Sequence, residues 1–255
     1  GIWFYFVQER EILEQAEREI SAIGQLKARQ VAEWRDALLD EGAEVVDRPI
    51  LLAEFTRYIA DPQNGDRERL LAELTALQRH DQFSDVLLVD ADGNVLLSAS
   101  GAEPMIADHA LAAIETALTT REPALIDLHR GEQEVDPHLT VVAPLVPPES
   151  EPGSAPGALL LFVNANDYLY PLIQSWPTPS TTAESLLVRR DGDKVVFLND
   201  LRHAAAPALS LRFPISRTTL PAAQAIMGAT GVVSGQDYRG VDVVAGYLVP
   251  TSLAP

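Results

Sequence analysis

The strongest constraint on the fold is a strand–turn–strand pattern that occurs twice in the chain. Each copy is a short apolar run, an Asp-Gly pair and a second apolar run, and the copies span residues 85–98 and 185–198. Asp-Gly favours a tight turn because glycine adopts positive φ without steric cost. Short runs of Val and Leu on both sides favour β-strands. The repeat therefore predicts two similar antiparallel modules in one chain.

A long helix is predicted before the first hairpin, over residues 8–39. Apolar residues recur there at three- and four-residue steps, charged residues fill the other positions, and proline is absent. Such a helix is about 45 Å long, too long to pack on one small module. Its apolar seam also suits pairing with a second copy of the chain. The seam consists of Leu13, Ala16, Ile20 and Ile23.

The rest of the chain alternates short helices with apolar strands. Helices are predicted at residues 50–59, 66–80, 106–118, 164–174 and 220–227. The second hairpin is predicted to pair strands 184–189 and 194–198. Further strands are predicted at 124–129, 138–145, 158–163, 209–213, 230–234 and 241–249, with a surface loop at 147–157. Hairpins and antiparallel strands with helices beside them indicate an α+β fold.

Composition excludes several functions. The chain has 255 residues and a net charge of −18, from 37 acidic and 19 basic residues. Such a polyanion repels nucleic acid, so no nucleic-acid partner is expected. There is no cysteine, which removes disulfides, thiolate catalysis and Cys-ligated zinc.

The first residues, IWFYFV at positions 2–7, are apolar and aromatic and are followed at once by charged residues. Six residues are too few to cross a bilayer, which takes about 20. The stretch is interpreted as the outer end of a transmembrane helix, since aromatic residues concentrate at membrane interfaces. The alternative is an ordinary hydrophobic helix start that packs in the core.

Motifs of common enzymes are missing from the sequence. It contains no P-loop, no dinucleotide-binding glycine pattern and no HExxH. The five histidines are dispersed and form no i, i+4 pair, so neither a metal site nor a cofactor is expected. A hydrolase would need a nucleophile and a base with matching spacing, and no such pair is found.

A polar group on two neighbouring strands is the candidate ligand site. Strand alternation predicts that Asp127 and His129 share one face, while Arg130 follows at the strand end. A carboxylate, a titratable ring and a guanidinium suit recognition of a small polar molecule. His138, at the start of the next strand, is expected opposite this group. Tyr58 is expected to supply an aromatic wall and a hydroxyl from a helix that closes the pocket, with solvated charges and core packing as the alternatives.

Three stretches resemble the double Cache sensor region of bacterial transmembrane receptors. They are RQVAEWR at 29–35, the hairpins of LLVDxDG type, and SWPTPSTTAESLLVRRDGDKVVFLNDLRH at 175–203. The resemblance implies an α+β fold with an N-terminal spine helix (1–45), a membrane-distal PAS-like module (46–165) and a membrane-proximal one (166–255). Each module would be a mixed or antiparallel sheet flanked by helices. Amino-acid-binding members carry Tyr and Trp in the distal module, and residues 83–145 contain neither.

The resemblance also implies a function. It predicts the extracytoplasmic part of a histidine kinase or diguanylate cyclase, flanked by transmembrane helices, that binds a small polar molecule without itself being an enzyme. A homodimer through the N-terminal helix is expected. The alternatives are an adhesion or scaffold module with no small ligand and a periplasmic hydrolase.

Overall fold

The computed structural model describes residues 2–63, 65–80, 83–102, 104–131, 136–147, 155–177, 180–204 and 206–247, without the side chains of residues 2–7, 9 and 80. The chain divides into two compact units. The central unit is Arg35–Asn166, and the terminal unit comprises the described parts of Gly1–Trp34 and Asp167–Pro255. The predicted division at residues 45 and 165 stays a prediction.

Helix α1, Ile2–Val46, contributes residues to both units. The predicted helix is confirmed and is longer at both ends, and no proline interrupts the chain from Ile2 to Val46. Residues at three- and four-residue spacing are buried in the terminal unit, from Ile23 through Val31 to Trp34. The spacing continues in the central unit at Leu38 and Val45.

The central unit is built on a five-stranded antiparallel sheet of order β2-β1-β5-β4-β3. The first predicted hairpin forms its edge pair, β1 (Asp85–Asp90) and β2 (Val95–Ser98). The remaining strands are β3 (Ala124–His129), β4 (His138–Leu145) and β5 (Gly157–Asn164). Strands β4 and β5 are central and almost fully buried, which explains their uninterrupted apolar sequences.

Helix α4 (Asp108–Thr120) covers one face of this sheet, and its Ile114 packs among residues such as Leu160 and Val142. The other face is covered by α2 (Pro49–Ala60), by α3 (Arg67–His80) and by the end of α1, where Gly42 lies against Val141. Ala158 faces α4, so its neighbour Gly157 faces α2. A Cβ at Gly157 would stand 2.7 Å from Ile59 Cδ1 of α2.

The β1–β2 turn shows why the first hairpin was predictable. Gly93 adopts φ +83°, as the Asp-Gly pair predicts, and its N–H donates to the carbonyl of Asp90 at 3.1 Å. The Asp90 carboxylate accepts hydrogen bonds from the backbone of Asp92 at 3.0 Å and of Asn94 at 2.8 Å. Side chain and glycine together fix the turn locally.

The terminal unit holds smaller sheets. Three antiparallel strands form one sheet: β6 (Val188–Asp191), β7 (Lys194–Phe197) and β8 (Arg212–Pro214). Strands β9 (Gly231–Gln236) and β10 (Asp242–Tyr247) form a two-stranded ribbon. Helices α5 (Leu169–Gln174) and α6 (Pro221–Ile226) are short, and α6 packs with β7 around Phe197 and Leu220. The α+β class, the long helix and the antiparallel sheets are all confirmed.

Three predicted elements of the terminal unit are wrong in their bounds. The strand predicted at 184–189 begins at Val188, because the Leu187 N–H donates to the side chain of Asn199 at 2.7 Å and not to a strand. The strand predicted at 209–213 begins at Arg212, because Leu209 has φ +66°, which no strand residue adopts.

The third wrong element is the helix predicted at 164–174, which begins only at Leu169. Asn164 ends β5 and its side chain accepts a hydrogen bond from the Asn166 N–H at 2.9 Å. This local turn competes with helix formation. Residues 148–154 of the predicted loop and 248–249 of the last predicted strand lie outside the described residues.

Lys27 is a buried cation on α1 within the terminal unit. Its ammonium donates hydrogen bonds to the carbonyls of Leu172, at 2.8 Å, and of Ser175 at the end of α5. A cation stabilises the carbonyl end of a helix. Burial lowers the pKa of Lys27 from its usual value.

The predicted dimer seam is partly used inside the terminal unit. Ile23 is buried, and Ile20 packs so closely on β10 that a Cβ at Gly246 would lie 2.9 Å from its Cγ2. Leu13 and its neighbour Ile12 are exposed. Within the described residues, no helix combines the length and apolarity that crossing a bilayer requires.

Candidate functional site

The α4-facing side of the central sheet changes from apolar to polar along its strands. On β4, the inward positions run from Val142 through Thr140 to His138, and on β5 from Leu160 to Phe162. Val142 and Leu160 belong to the core beneath α4. At the other end of the same face, His138 and Thr140 are buried polar residues, with 6% and 1% of their surface exposed.

A bulge in β3 determines which of its side chains reach this polar end. Ile126 pairs with Thr140 and His129 pairs with His138, so two residues of β3 oppose one residue of β4. The extra residue puts His129 on the side of Ile126, which faces α4. The prediction that Asp127 and His129 share one face of the sheet is therefore wrong. The bulge inserts one residue between Ile126 and His129, so side chains no longer alternate strictly along β3.

Three imidazole rings meet at this polar end, and we name His109, His129 and His138 the imidazole cluster. The rings of His129 and His138 lie 4.1 Å apart and those of His109 and His129 lie 4.9 Å apart, both in edge-on geometry. His109 comes from the first turn of α4. The ring of Phe162 lies 5.1 Å from that of His138 and forms an apolar wall.

Thr140 is the second unusual feature of this face. Its hydroxyl is fully buried and has no hydrogen-bond partner among the described residues. A buried polar group without a partner costs roughly 1–3 kcal/mol. Such a group calls for an explanation, and a ligand atom that completes its hydrogen bonding is one.

Two aspartates near this end are held by neutral donors. Asp85, which pairs with Phe162, accepts hydrogen bonds from the hydroxyl of Ser100 at 2.6 Å and from its N–H at 3.0 Å. Asp136 accepts from the amide of Asn166 at 3.0 Å and from that of Asn164 at 3.4 Å.

The sequence-predicted site residues are only partly brought together. His129 and His138 are in contact as expected. Asp127 is exposed, and its carboxylate accepts a hydrogen bond from the Leu128 N–H at 2.7 Å. Arg130 is exposed just beyond β3. Tyr58 is buried on α2, on the sheet face opposite α4, so the structure does not bring it into the imidazole cluster.

Sequence reasoning missed three residues of this region. They are His109, Thr140 and Phe162. His109 lies 20 positions before His129 (129 − 109) in a different element, so no spacing signal connects them. Thr140 and Phe162 share a face with His138 by strand register, and the alternation of two buried strands was the signal that could have found them.

Other candidate chemistry is weaker. In the described part of the chain, no three or more His, Asp or Glu side chains are arranged to hold a metal ion. An open groove of about 690 Å³ lies on the terminal unit, lined in part by Gln224, Gln236 and Asp242. Its side chains bond one another or nearby backbone, as Gln224 does with the Thr218 carbonyl at 2.7 Å.

A hydrogen-bonded tyrosine anchors the terminal unit. The hydroxyl of Tyr238 donates to the carboxylate of Glu184 at 2.8 Å and accepts from the N–H of His203 at 3.3 Å. Burial, together with the negative charge of Glu184, raises the pKa of Tyr238 to about 12. The Tyr238 hydroxyl therefore stays protonated at neutral pH, and its hydrogen bonds stabilise the terminal unit.

Solved structures with the same fold are sensor domains. The ligand-binding domain of the Pseudomonas aeruginosa amino-acid chemoreceptor PctC, solved with GABA, matches with TM-score 0.56 and 16% identity over 93% of this chain and 94% of that one. The extracellular domain of the proposed histidine kinase mmHK1S-Z2 matches with TM-score 0.51 and 14% identity over 94% and 93%.

A shorter match is the ligand-binding domain of the Campylobacter jejuni chemoreceptor Tlp3 with L-norvaline, at TM-score 0.50 and 14% identity. The match covers 64% of this chain and 64% of that domain. No protein-family model and no curated protein sequence matches the chain. The likeness confirms the fold expected from the resemblance to extracytoplasmic sensor domains.

Proposed function

We propose that this chain is the ligand-sensing region of a membrane-bound bacterial receptor and that it binds a small polar molecule in the central unit. The observation that carries the proposal is the polar end of the α4-facing sheet surface. There the Thr140 hydroxyl, which is buried and has no partner among the described residues, lies on the same sheet face as His138 of the imidazole cluster. The sensor domains with this fold, which include complexes with small ligands, support it.

The finer parts of the proposal follow from the sequence resemblance. The chain lies outside the cytoplasm, transmembrane helices flank it, and a histidine kinase or diguanylate cyclase receives its signal. A homodimer forms through the N-terminal helix, where Ile12, Leu13 and Leu26 are exposed apolar residues. Sedimentation measurements of the 255-residue chain test the dimer, and Leu13→Glu is expected to abolish it.

Signalling follows from a shift between two conformations. A ligand changes their populations only by its differential affinity for them. Helix α1 has residues in both units, so a change at either unit acts on one continuous helix. The ligand contacts expected from the sequence at Asp127, Arg130 and Tyr58 stay predictions, and the geometry does not bring these residues into the imidazole cluster.

A thermal-shift screen against small carboxylates, amines, amino acids and sugars tests the proposal. A ligand at 100 times its Kd is expected to stabilise the protein by about 2.7 kcal/mol. His138→Ala is expected to remove this stabilisation, and His203→Ala in the terminal unit is the matched control. If no compound class stabilises the chain, the proposal is wrong and the scaffold alternative is favoured.

A further inference from the structure

We propose that the imidazole cluster binds a small oxyanion together with a proton, so that affinity for the anion rises as pH falls. This inference rests on the proposed function, because it concerns the same site. It adds the charge class of the ligand and a pH dependence that neither the sequence nor the fold supplies. The observation behind it is the contact of His109, His129 and His138.

The imidazole cluster can bind a proton. Histidine changes charge in the physiological range of about pH 5 to 8. The ring of His129 lies 4.1 Å from that of His138 and 4.9 Å from that of His109, so a proton on His129 lies close to both neighbouring rings.

Most charged groups around the imidazole cluster are acidic. The described charged groups at this end of the neighbouring elements are Asp85 on β1, Asp108 on α4, Asp127 and Arg130 at the end of β3, and Asp136 before β4. Asp85 and Asp136 already accept hydrogen bonds from serine and asparagine donors. The only cation among these groups is Arg130, which is exposed and itself has a partner.

An anion that enters this polar end therefore needs charge compensation from the imidazoles. The whole chain carries a net charge of −18, which adds to the electrostatic cost of bringing an anion close. Protonating one ring supplies a charge-assisted donor at hydrogen-bond range. Anion binding and proton uptake thus stabilise each other, and by linkage each raises the affinity for the other.

The Thr140 hydroxyl is the donor that completes the proposed site. The Thr140 hydroxyl is buried, has no partner in the described chain, and lies on the same face as His138. A hydroxyl donates to an anionic oxygen, and Phe162 supplies an apolar side for a short carbon chain. A carboxylate and an inorganic oxyanion share this chemistry.

Calorimetry of the 255-residue chain with succinate tests the coupling between anion binding and proton uptake. Sulfate is titrated as the inorganic oxyanion, and succinamide is the uncharged control. Titration at pH 7 in two buffers of different ionisation enthalpy counts the protons taken up. We expect about one proton per succinate and a tenfold loss of affinity per pH unit above the coupled pKa. Succinamide is expected not to bind.

Variants locate the proton. His138→Gln and His129→Gln keep a polar side chain that does not titrate, and each is expected to reduce proton uptake at least by half. His203→Gln in the terminal unit leaves it unchanged. Thermal unfolding of each variant checks that it is folded, and His109→Gln gives a third position should either of the others unfold.

The results separate this inference from the proposed function. Succinate or sulfate binding with no proton uptake overturns the inference and leaves ligand sensing intact. The same holds if only neutral or cationic compounds stabilise the chain in the screen. Proton uptake that persists in all three glutamine variants places the titrating group elsewhere and also overturns it.

Discussion

Two buried polar side chains, one in each unit, have opposite hydrogen-bonding situations. Asn199 in the terminal unit and Thr140 in the central unit are each 1% exposed. The Asn199 amide accepts from the Leu187 N–H at 2.7 Å and donates to the carbonyls of Asp200 at 3.0 Å and Ser185 at 3.4 Å. The Thr140 hydroxyl has no partner in the described chain.

The difference separates scaffold from site. The buried Asn199 amide has all of these hydrogen bonds, and it takes the place of a pairing strand at residues 185–187. Its role is therefore structural. A buried hydroxyl without a hydrogen bond lowers the free energy of unfolding of the ligand-free protein. Polar groups of that second kind occur at functional sites.

Asn199→Ala is expected to have the largest effect on stability. It removes three hydrogen bonds and leaves the half-buried Leu187 N–H without its partner. We expect a loss of about 2–4 kcal/mol in the free energy of unfolding, measured with denaturant. Asn94→Ala, which removes an exposed amide bonded to Asp90, is the control and is expected to cost less than about 1 kcal/mol. Equal costs would contradict the scaffold role of Asn199.

Tyr238→Phe is expected to change how stability depends on alkaline pH. The folded pKa of Tyr238 is about 12 and the ordinary value is 10.0. A raised pKa means that the folded state holds this proton more tightly, so its contribution to stability is present below pH 10 and lost between pH 10 and 12.

The stability difference between wild type and Tyr238→Phe should therefore shrink across that window by an amount on the order of 1–2 kcal/mol. Denaturant unfolding at several pH values measures it. Tyr168→Phe, which removes the same atom from an exposed ring, serves as the control. A constant difference from pH 9 to 12 would show that Glu184 and burial do not hold the proton.

Thr140→Val is expected to act in the opposite direction to Asn199→Ala. Removing an unsatisfied hydroxyl should stabilise the ligand-free chain by about 1 kcal/mol and weaken anion binding. Thr56→Val is the control, because the Thr56 hydroxyl is buried and donates to the Leu52 carbonyl at 2.8 Å. That variant should lose about 1 kcal/mol. If both valine variants are destabilised equally, Thr140 has a partner and the comparison with Asn199 fails.

Local signals explain which parts of the fold were predictable. The β1–β2 turn is fixed by Asp90 and Gly93 themselves, so the sequence of that hairpin is sufficient. In the second copy, the strand start depends on the side chain of Asn199, which comes from beyond the hairpin. Propensity cannot report such a tertiary bond, and the predicted strand was misplaced.

The candidate site was predicted less well for a related reason. His129 and His138 were found because they lie near strand ends in the sequence. Their shared face depends on the β3 bulge, which inserts one residue into the pairing. His109 reaches them from α4, and only the packing of that helix on the sheet determines this contact. Periodicity within one element contains neither piece of information.

Asp127→Asn is the variant with the smallest expected effect, and it distinguishes the two interpretations of β3. Simple alternation puts Asp127 beside His129, where loss of its charge would change succinate affinity and proton uptake. The bulge puts Asp127 opposite Leu139, on the side away from α4, with its carboxylate exposed. Asparagine keeps an oxygen for the Leu128 N–H, so we expect both quantities to stay within about twofold of wild type at 0.15 M salt. A larger change, with unfolding unaffected, would restore Asp127 to the site and argue that the bulge does not set the face of His129.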